Sequence, residues 1–339
     1  MPTIVAGSNT DAIVAAINAA KSGDRIVHFP TGEYQVTRPI EELANSEGIS
    51  LTGDKGKSIV HVLTSSSEYG FLVGGARNLT FRNLTFATVN GRSAAQGAFI
   101  GREASGGARS CSYVRIFSCE FYQFKQAPWI LSAGSEYLWC VGNFIHNISA
   151  PGGGSGLSLS NVSHAVYVRN RIEDISSPNS GSHAMNLDGD GVTDVLVLDN
   201  SIDGENGPDY GIAITSAVVG CTIDNNQIAG CPSPFVIRDT DADELVVENN
   251  SVVLAHGSTA VQVGGTAGRH GNGTGRAVIG NNSVHLPPNA IQGSSIKLVR
   301  VESTPMTVLV HHNSIPFGSY LSQLTTGAAQ IGPGTLFLD

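Results

Sequence analysis

Seven copies of the triplet Asn-x-Ile/Val recur along this 339-residue chain: Asn143-Phe144-Ile145, Asn170-Arg171-Ile172, Asn200-Ser201-Ile202, Asn226-Gln227-Ile228, Asn250-Ser251-Val252, Asn282-Ser283-Val284 and Asn313-Ser314-Ile315. The asparagines stand 27, 30, 26, 24, 32 and 31 residues apart. Cys119-Glu120-Phe121 lies 24 residues before Asn143 and holds the same place with Cys for Asn, and Arg82-Asn83-Leu84-Thr85-Phe86 is an earlier, slightly shifted copy. A period of this size marks a stack of small units. Each Asn follows a short alternating run, such as Ala165-Val166-Tyr167-Val168 or Glu244-Leu245-Val246-Val247. A second run lies upstream, as in Gly156-Leu157-Ser158-Leu159 and Tyr210-Gly211-Ile212-Ala213-Ile214. Alternation over four to six residues means strands, and the short run after the Asn makes three strands per repeat. Such a unit cannot bury its own apolar face and must stack on its copies. Parallel stacking sets equivalent residues ~4.8 Å apart. A buried Asn at a turn then bonds its neighbours above and below. The expectation is an all-β parallel solenoid of about ten three-strand coils, roughly 48 Å long.

Composition agrees. Charged residues are 14% of the chain and Gly is 41 of 339, against the usual ~25% and ~7%. The Lys, Glu and Arg that fill exposed helix faces are scarce. The net charge of −9 and the lack of a Lys/Arg run argue against a nucleic-acid partner. No run of 18 apolar residues occurs, so no membrane span is expected. Met1-Pro2-Thr3-Ile4 carries neither a basic region nor an apolar run, so no signal peptide is read there. Five cysteines without zinc-like or Cys-x-x-Cys spacing are expected as buried free thiols.

A stack has two open ends that need cover. Thr10-Asp11 followed by 12–20, rich in Ala and Ile, reads as an N-capped helix ending near Gly23. The chain is expected as one structural domain: an N-terminal cap with first strands at 1–47, coils at 48–317 and a C-terminal cap at 318–339.

The helix, then Gly23-Asp24-Arg25-Ile26-Val27-His28-Phe29-Pro30-x-Gly32-x-Tyr34, then the Asn-x-Ile coils resemble the pectate-lyase-like right-handed parallel β-helix superfamily. The resemblance covers nearly the whole chain. It implies a right-handed β-helix with a helical cap, and it implies polysaccharide lyases, glycoside hydrolases, uronan epimerases and phage tailspike depolymerases as the range of activities. The polygalacturonase pattern is matched only by Asn186-Leu187-Asp188; the next coil offers Thr215-Ser216 instead of an Asp pair, and Gly-His-Gly, Arg-Ile-Lys and the epimerase Tyr-Gly-Phe-Asp-Pro-His are absent. Tailspike depolymerases have no portable motif.

In such a solenoid the outward side chains form ladders, and long loops wall a groove. The long Gly/Ser-rich segments are 88–112, 149–155, 176–182, 203–209, 264–275 and 286–294. The strands after them give two outward columns: Ile130, Ser158, Asn186, Ala213, Val236 and Gln262, and Arg102, Ser132, Ser160, Asp188, Thr215, Arg238 and Gly264. Small members suit an extended ligand, and Arg102, Asn186, Asp188 and Arg238 carry the functional groups. The expected groove runs along 156–263, centred on Asp188, with a poly- or oligosaccharide as partner. A hydrolase needs two flanking carboxyls, and Asp188 or Asp190 with Asp239 or Asp241 two coils on, ~9.6 Å away, meets that need. A lyase needs a base and a cation; His183 or Tyr210 serves as base and Arg238 as stabiliser. Asn186, Tyr210, Arg102, Asp239 and Asp241 are the substrate-binding candidates. The competing structural role for Asp188 and Asp190 is to hold a turn.

Asn186-x-Asp188-x-Asp190-Gly191-x-x-Asp194 has the oxygen-ligand spacing of a calcium loop, without the distal Glu, so calcium is the one cofactor considered. The other histidines show no metal spacing. Trp129 and Trp139 are expected in the core, and Tyr122, Tyr137 and Tyr210 are free to stack on sugars. The function expected is a carbohydrate-active enzyme, hydrolase or lyase, extracellular or virion-associated; the alternative is a non-catalytic glycan-binding adhesin or spike component. A homotrimer is the expected assembly, by analogy with tailspike relatives.

Overall fold

The structure is a computed structural model that describes residues 2–314 except 89–94, 104, 132–133, 150–154, 161, 178–180, 190, 206, 239–241, 256–258, 265–274, 286–296 and 302–305. Three sheets run along it, and every strand pairing is parallel, as in Val195↔Cys221, Ile202↔Ile228 and Met185↔Ile212. The chain winds as a right-handed parallel β-helix. The first sheet has eleven strands, from Ile26–Phe29 to Thr307–His311, and the second has ten, from Gly32–Val36 to Ser283–His285. The third comes in two runs. Three strands, Tyr69–Leu72, Gly97–Ile100 and Trp129–Ile130, make the lower one. Six, from Ser155–Ser160 through His183–Asp188, Tyr210–Ile214 and Ser233–Ile237 to Thr259–Val263 and Lys297–Val301, make the upper one.

The helix Thr10–Lys21 buries Ile13, Ile17 and Ala20 over the first coil. Its N-cap is Asn9, whose side chain accepts from the Ala12 N–H at 3.2 Å, one residue earlier than the sequence suggested. Asn outranks Thr as a cap, and Thr10 is instead buried and bonds Thr37. The first two strands are Ile26–Phe29 and Gly32–Val36, while the expected C-terminal cap at 318–339 lies outside the described residues.

The interior is made of like residues stacked coil on coil. On the third sheet Leu157, Met185, Ile212, Phe235, Val261 and Val299 form one inward column, all buried. Burial of each such side chain stabilises by about 1.5–3 kcal/mol. Lower down, Phe81 stacks on Phe99 at 4.6 Å and Phe99 on Trp129 at 5.6 Å. All five cysteines are free and buried.

The asparagine ladder sits between the first and second sheets. Asn143 donates its backbone N–H (3.0 Å) and Nδ2 (2.9 Å) to Oδ1 of Asn170. The same double bond links Asn170 to Asn200, then Asn226, Asn250, Asn282 and Asn313. Each Nδ2 also donates to a strand carbonyl one coil below, as Asn200 does to Tyr167 at 3.0 Å. Cys119 fills the bottom rung, giving its N–H to Asn143 Oδ1 at 2.9 Å.

A second recurring device occupies the corner where the chain enters the first sheet. In eight successive coils one residue is left-handed there: Gly48 (φ 67°), Asn78 (52°), Tyr113 (57°), Tyr137 (58°), His164 (54°), Asp194 (53°), Gly220 (69°) and Glu244 (53°). The strand register steps over it, so Glu136 pairs Ser163 and Leu138 pairs Ala165. This extra residue resets the alternation and turns Trp139 outward, where Arg115 lies 5.2 Å over its ring. Trp139 is therefore a surface residue and not the core residue the sequence suggested, whereas Trp129 is buried.

Candidate functional site

The upper run of the third sheet aligns the predicted residues by strand register. Ser155, His183, Tyr210 and Ser233 form one column, and Ser158, Asn186, Ala213, Val236 and Gln262 another. Ser160 pairs Asp188, and the backbone bonds Thr215 N–H to Leu187 O (2.9 Å) and Arg238 N–H to Ile214 O (2.8 Å) carry that column upward. The middle column is less open than expected, because Ala213 and Val236 are fully buried.

Asp209 fixes the entry to two of these strands. Its carboxylate accepts from the Ser182 N–H at 2.9 Å, and Ser182 Oγ accepts from the Asp209 N–H at 3.1 Å. That brace sets the next residues, His183 and Tyr210, one above the other. Their rings stack at 4.9 Å and 20°. Tyr210 also lies across Gly181, where a Cβ would come within 2.6 Å of the ring, so Gly is required for this approach. From the next coil, Arg238 places its guanidinium carbon 4.6 Å from the Tyr210 ring. The phenol is thus held between an imidazole and a cation, a stabilising arrangement for both faces.

His183 Nε2 is buried and has no hydrogen-bond partner. Burial, aided by the Arg238 charge, pulls the imidazole down to about 4, against the opposing pull of Asp209 and Asp188. The ring is neutral at pH 7. Asn186 and Asp188 are each held from the coil above: Thr215 Oγ1 donates to Asn186 Oδ1 at 3.0 Å, and Ser216 Oγ donates to Asp188 Oδ1 at 2.6 Å. Ser216 in turn accepts from the Gly189 N–H at 2.9 Å, so Asp188 is tied into the turn that follows its strand.

The structure therefore stacks His183 and Arg238 on the two faces of Tyr210, with Asn186 and Asp188 farther along the same strand as His183. Arg102 does not join them; it is exposed beside the lower run and bridges Ala108. Asp190, Asp239 and Asp241 lie outside the described residues. The described members of the calcium set do not converge. Asp194 stands at the left-handed corner of the first sheet and pairs His164 Nδ1 at 3.2 Å, while the Asn186 and Asp188 oxygens already accept from Thr215 and Ser216. Among the described residues no group of three or more His, Cys, Asp or Glu side chains is placed to hold a metal ion, and no helix is long and apolar enough to cross a membrane.

Sequence reasoning did not single out Asp209 and Ser182. Their signal is positional: each immediately precedes a residue of the stacked pair. It also missed the outer ring column of the first sheet, where Tyr113 stacks on Tyr137 at 4.7 Å and Tyr137 on His164 at 4.8 Å.

Comparison with known proteins agrees with the fold. The family model "Right handed beta helix region" matches residues 42–228. No curated protein matches the chain. Among solved structures, the A-module of the mannuronan C-5 epimerase AlgE4 of Azotobacter vinelandii is similar at 15% identity and TM-score 0.53, over 92% of this chain and 94% of that one. The surface adhesin PfbA of Streptococcus pneumoniae is similar at 13% identity and TM-score 0.55, over 92% and 88%. The tailspike protein of E. coli bacteriophage HK620, in complex with a pentasaccharide, is similar at 11% identity and TM-score 0.61, over 93% of this chain and 63% of that one. At these identities the likeness is one of fold.

Proposed function

The chain belongs to the right-handed β-helix family, and from that premise we propose that it acts on a polysaccharide along the upper run of the third sheet. The epimerase's name specifies mannuronan, and the tailspike holds a pentasaccharide; both support a saccharide partner for a groove on this scaffold. An extracellular or virion-surface setting follows the same reading, since one neighbour is a surface adhesin and another a tailspike.

The observation that carries the chemistry is the unpartnered Nε2 of His183, neutral and separated from the Arg238 cation by the one ring of Tyr210. A neutral base beside a fixed positive charge suits proton abstraction next to a uronate carboxylate. Arg238 neutralises the carboxylate, and His183 takes the proton from the adjacent ring carbon. The electron pair forms a carbon–carbon double bond as the glycosidic C–O bond breaks, and the Tyr210 phenol gives a proton to the leaving oxygen. Asn186 orients a sugar hydroxyl, and Asp188, braced by Ser216, shapes the groove end. The reaction class is a lyase. The second reading is a glycan-binding adhesin, favoured by one observation: Asn186 and Asp188 are already engaged by Thr215 and Ser216.

Incubation with a panel of acidic and neutral polysaccharides tests this. The expected result is ultraviolet absorbance from unsaturated ends, abolished in His183→Gln. New reducing ends without that absorbance would mean a hydrolase, and binding without cleavage would mean an adhesin. A homotrimer is proposed with the tailspike fold in mind; a light-scattering mass near the 35.2 kDa of one chain overturns it.

A further inference from the structure

A second cleft opens at the entry edge of the first sheet, in its lower coils. Its volume is about 720 Å³, and Asn45, Arg77, Arg109, Ser110, Ser112 and Glu136 are among its lining residues. That volume falls within the range of small-ligand sites. Arg77 pairs Ser112 across one coil step, and Ser112 pairs Glu136 across the next. The guanidinium and the carboxylate therefore stand two coils apart, ~9.6 Å at the backbone. Among the described residues neither is in an ion pair. Arg109, in contrast, is bound by Glu103 at 2.7 Å and by Asn45 at 2.8 Å. The cleft thus presents one cation, one anion and two hydroxyls, with no net charge among its unpaired groups.

An aromatic surface adjoins it. The residues after Ser112 and Glu136 are Tyr113 and Tyr137, which stack with His164 in a column that climbs away from the cleft. Tyr113 is the lowest ring. One face rests on Tyr137, and the other points toward the coil of Arg77 and Asn78; the residue is 40% exposed. Both tyrosines are left-handed, with φ of 57° and 58°. Bulky side chains rarely adopt this conformation, and the same corner takes Gly48, Asn78 and Gly220 in other coils. The turn has no need of tyrosine there. A strained residue retained where the fold does not need it points to use of its side chain.

We propose that this cleft is a second saccharide site, distinct from the third-sheet groove, and that it takes a neutral oligosaccharide of two or three sugars. The free face of Tyr113 stacks on a pyranose ring. Arg77 donates to sugar hydroxyls, and Glu136 accepts from them one sugar farther on. Arg77 and Glu136 balance one another, so a uronate would leave the cleft with a net negative charge, and neutral sugars are preferred. None of this rests on the lyase reading.

The test is titration of the intact protein with maltotriose, cellotriose and tri-N-acetylchitotriose, with trigalacturonate as the acidic comparison. Trp139 lies 6.1 Å from Tyr113 and reports binding by fluorescence. At least one neutral trisaccharide is expected to bind. Tyr113→Asn, which keeps a residue suited to the left-handed corner, is expected to weaken that binding tenfold or more at unchanged melting temperature, as is Glu136→Gln. His183→Gln is expected to leave it intact. Absence of neutral binding at millimolar concentration, undiminished binding by Tyr113→Asn, preference for trigalacturonate, or loss in His183→Gln would each overturn the proposal. Failure here leaves the third-sheet assay untouched, so the two readings fall separately.

Discussion

Arg238 holds its guanidinium carbon 4.6 Å above the ring of Tyr210, one coil below it. The contact places a fixed positive charge over a phenol whose far face carries His183 at 4.9 Å, so that the three residues respond to one another's chemistry.

His183 makes stability depend on pH in a defined direction. Its folded value of about 4 lies below the ordinary 6.5, so the unfolded chain binds the extra proton first as pH falls. Stability from this group is full above 6.5, declines between 6.5 and about 4, and is then flat; the total is on the order of 3 kcal/mol. Thermal melts of His183→Gln are expected to fall less between pH 7 and pH 4.5 than those of the parent. Arg238→Ala, which removes a charge that lowers this pKa, is expected to move the His183 NMR titration upward.

Gly181→Ala is expected to disturb the site more than the fold. The new methyl would meet the Tyr210 ring at 2.6 Å and push it off Arg238. Activity on the polysaccharide is expected to drop at least tenfold with a melting point within a few degrees of the parent. Unchanged kinetics would show that the Tyr210 position is irrelevant to turnover.

Asp188→Asn retains an oxygen for the Ser216 hydroxyl and removes only the charge. If the carboxylate transfers a proton, turnover falls ~100-fold or more; as a groove-shaping residue it changes KM and leaves kcat nearly intact. The second outcome is expected. Ser216→Ala deletes the 2.6 Å bond and is expected to lower stability by about 1–2 kcal/mol in urea denaturation.

Asn200→Ala removes the acceptor for two Asn170 donors and a donor to Tyr167 O. Several buried groups lose their partners at once, at about 1–3 kcal/mol each. A loss of about 3 kcal/mol or more is expected in denaturant titration. Asn313→Ala, at the top of the described ladder, removes the acceptor of Asn282 and the donor to Ile279 O at a part-buried end, where water can replace them, and is expected to cost less.

The cysteines are expected to be silent in the native state. Burial raises Cys111 to about 11, Cys119, Cys221 and Cys231 to about 12, and Cys140 well above its ordinary value. A thiol reagent at pH 8 is expected to label none of them until urea is added, and then all five.

The ladder was legible because one residue type does one job at one place in every coil, so Asn143 through Asn313 repeat visibly. The alternation around them revealed the strands, and aligning the strands placed Asn186 and Asp188 in outward columns. What the alternation hid was the corner residue. Tyr137 inserts one position before Leu138, and a period-two reading then misplaces Trp139. Sequence spacing also hides the sheet change within the calcium-like segment: Asp188 and Asp194 are six residues apart in sequence but stand on different sheets. Stacking between coils, such as Arg238 over Tyr210, depends on loop lengths that vary from coil to coil and carry no periodic mark.

The corner of the first sheet adopts one backbone shape whether it carries glycine, asparagine, tyrosine, histidine, aspartate or glutamate. Its side chains therefore change without consequence for the packed interior or for the amide ladder. Point mutation there alters what the surface displays while folding stays constant, so this edge is free to diverge under selection faster than the rest of the molecule. A library randomised at Asn78, Tyr113, Tyr137, His164 and Asp194 would be a practical starting point for evolving new binding specificities on this rod.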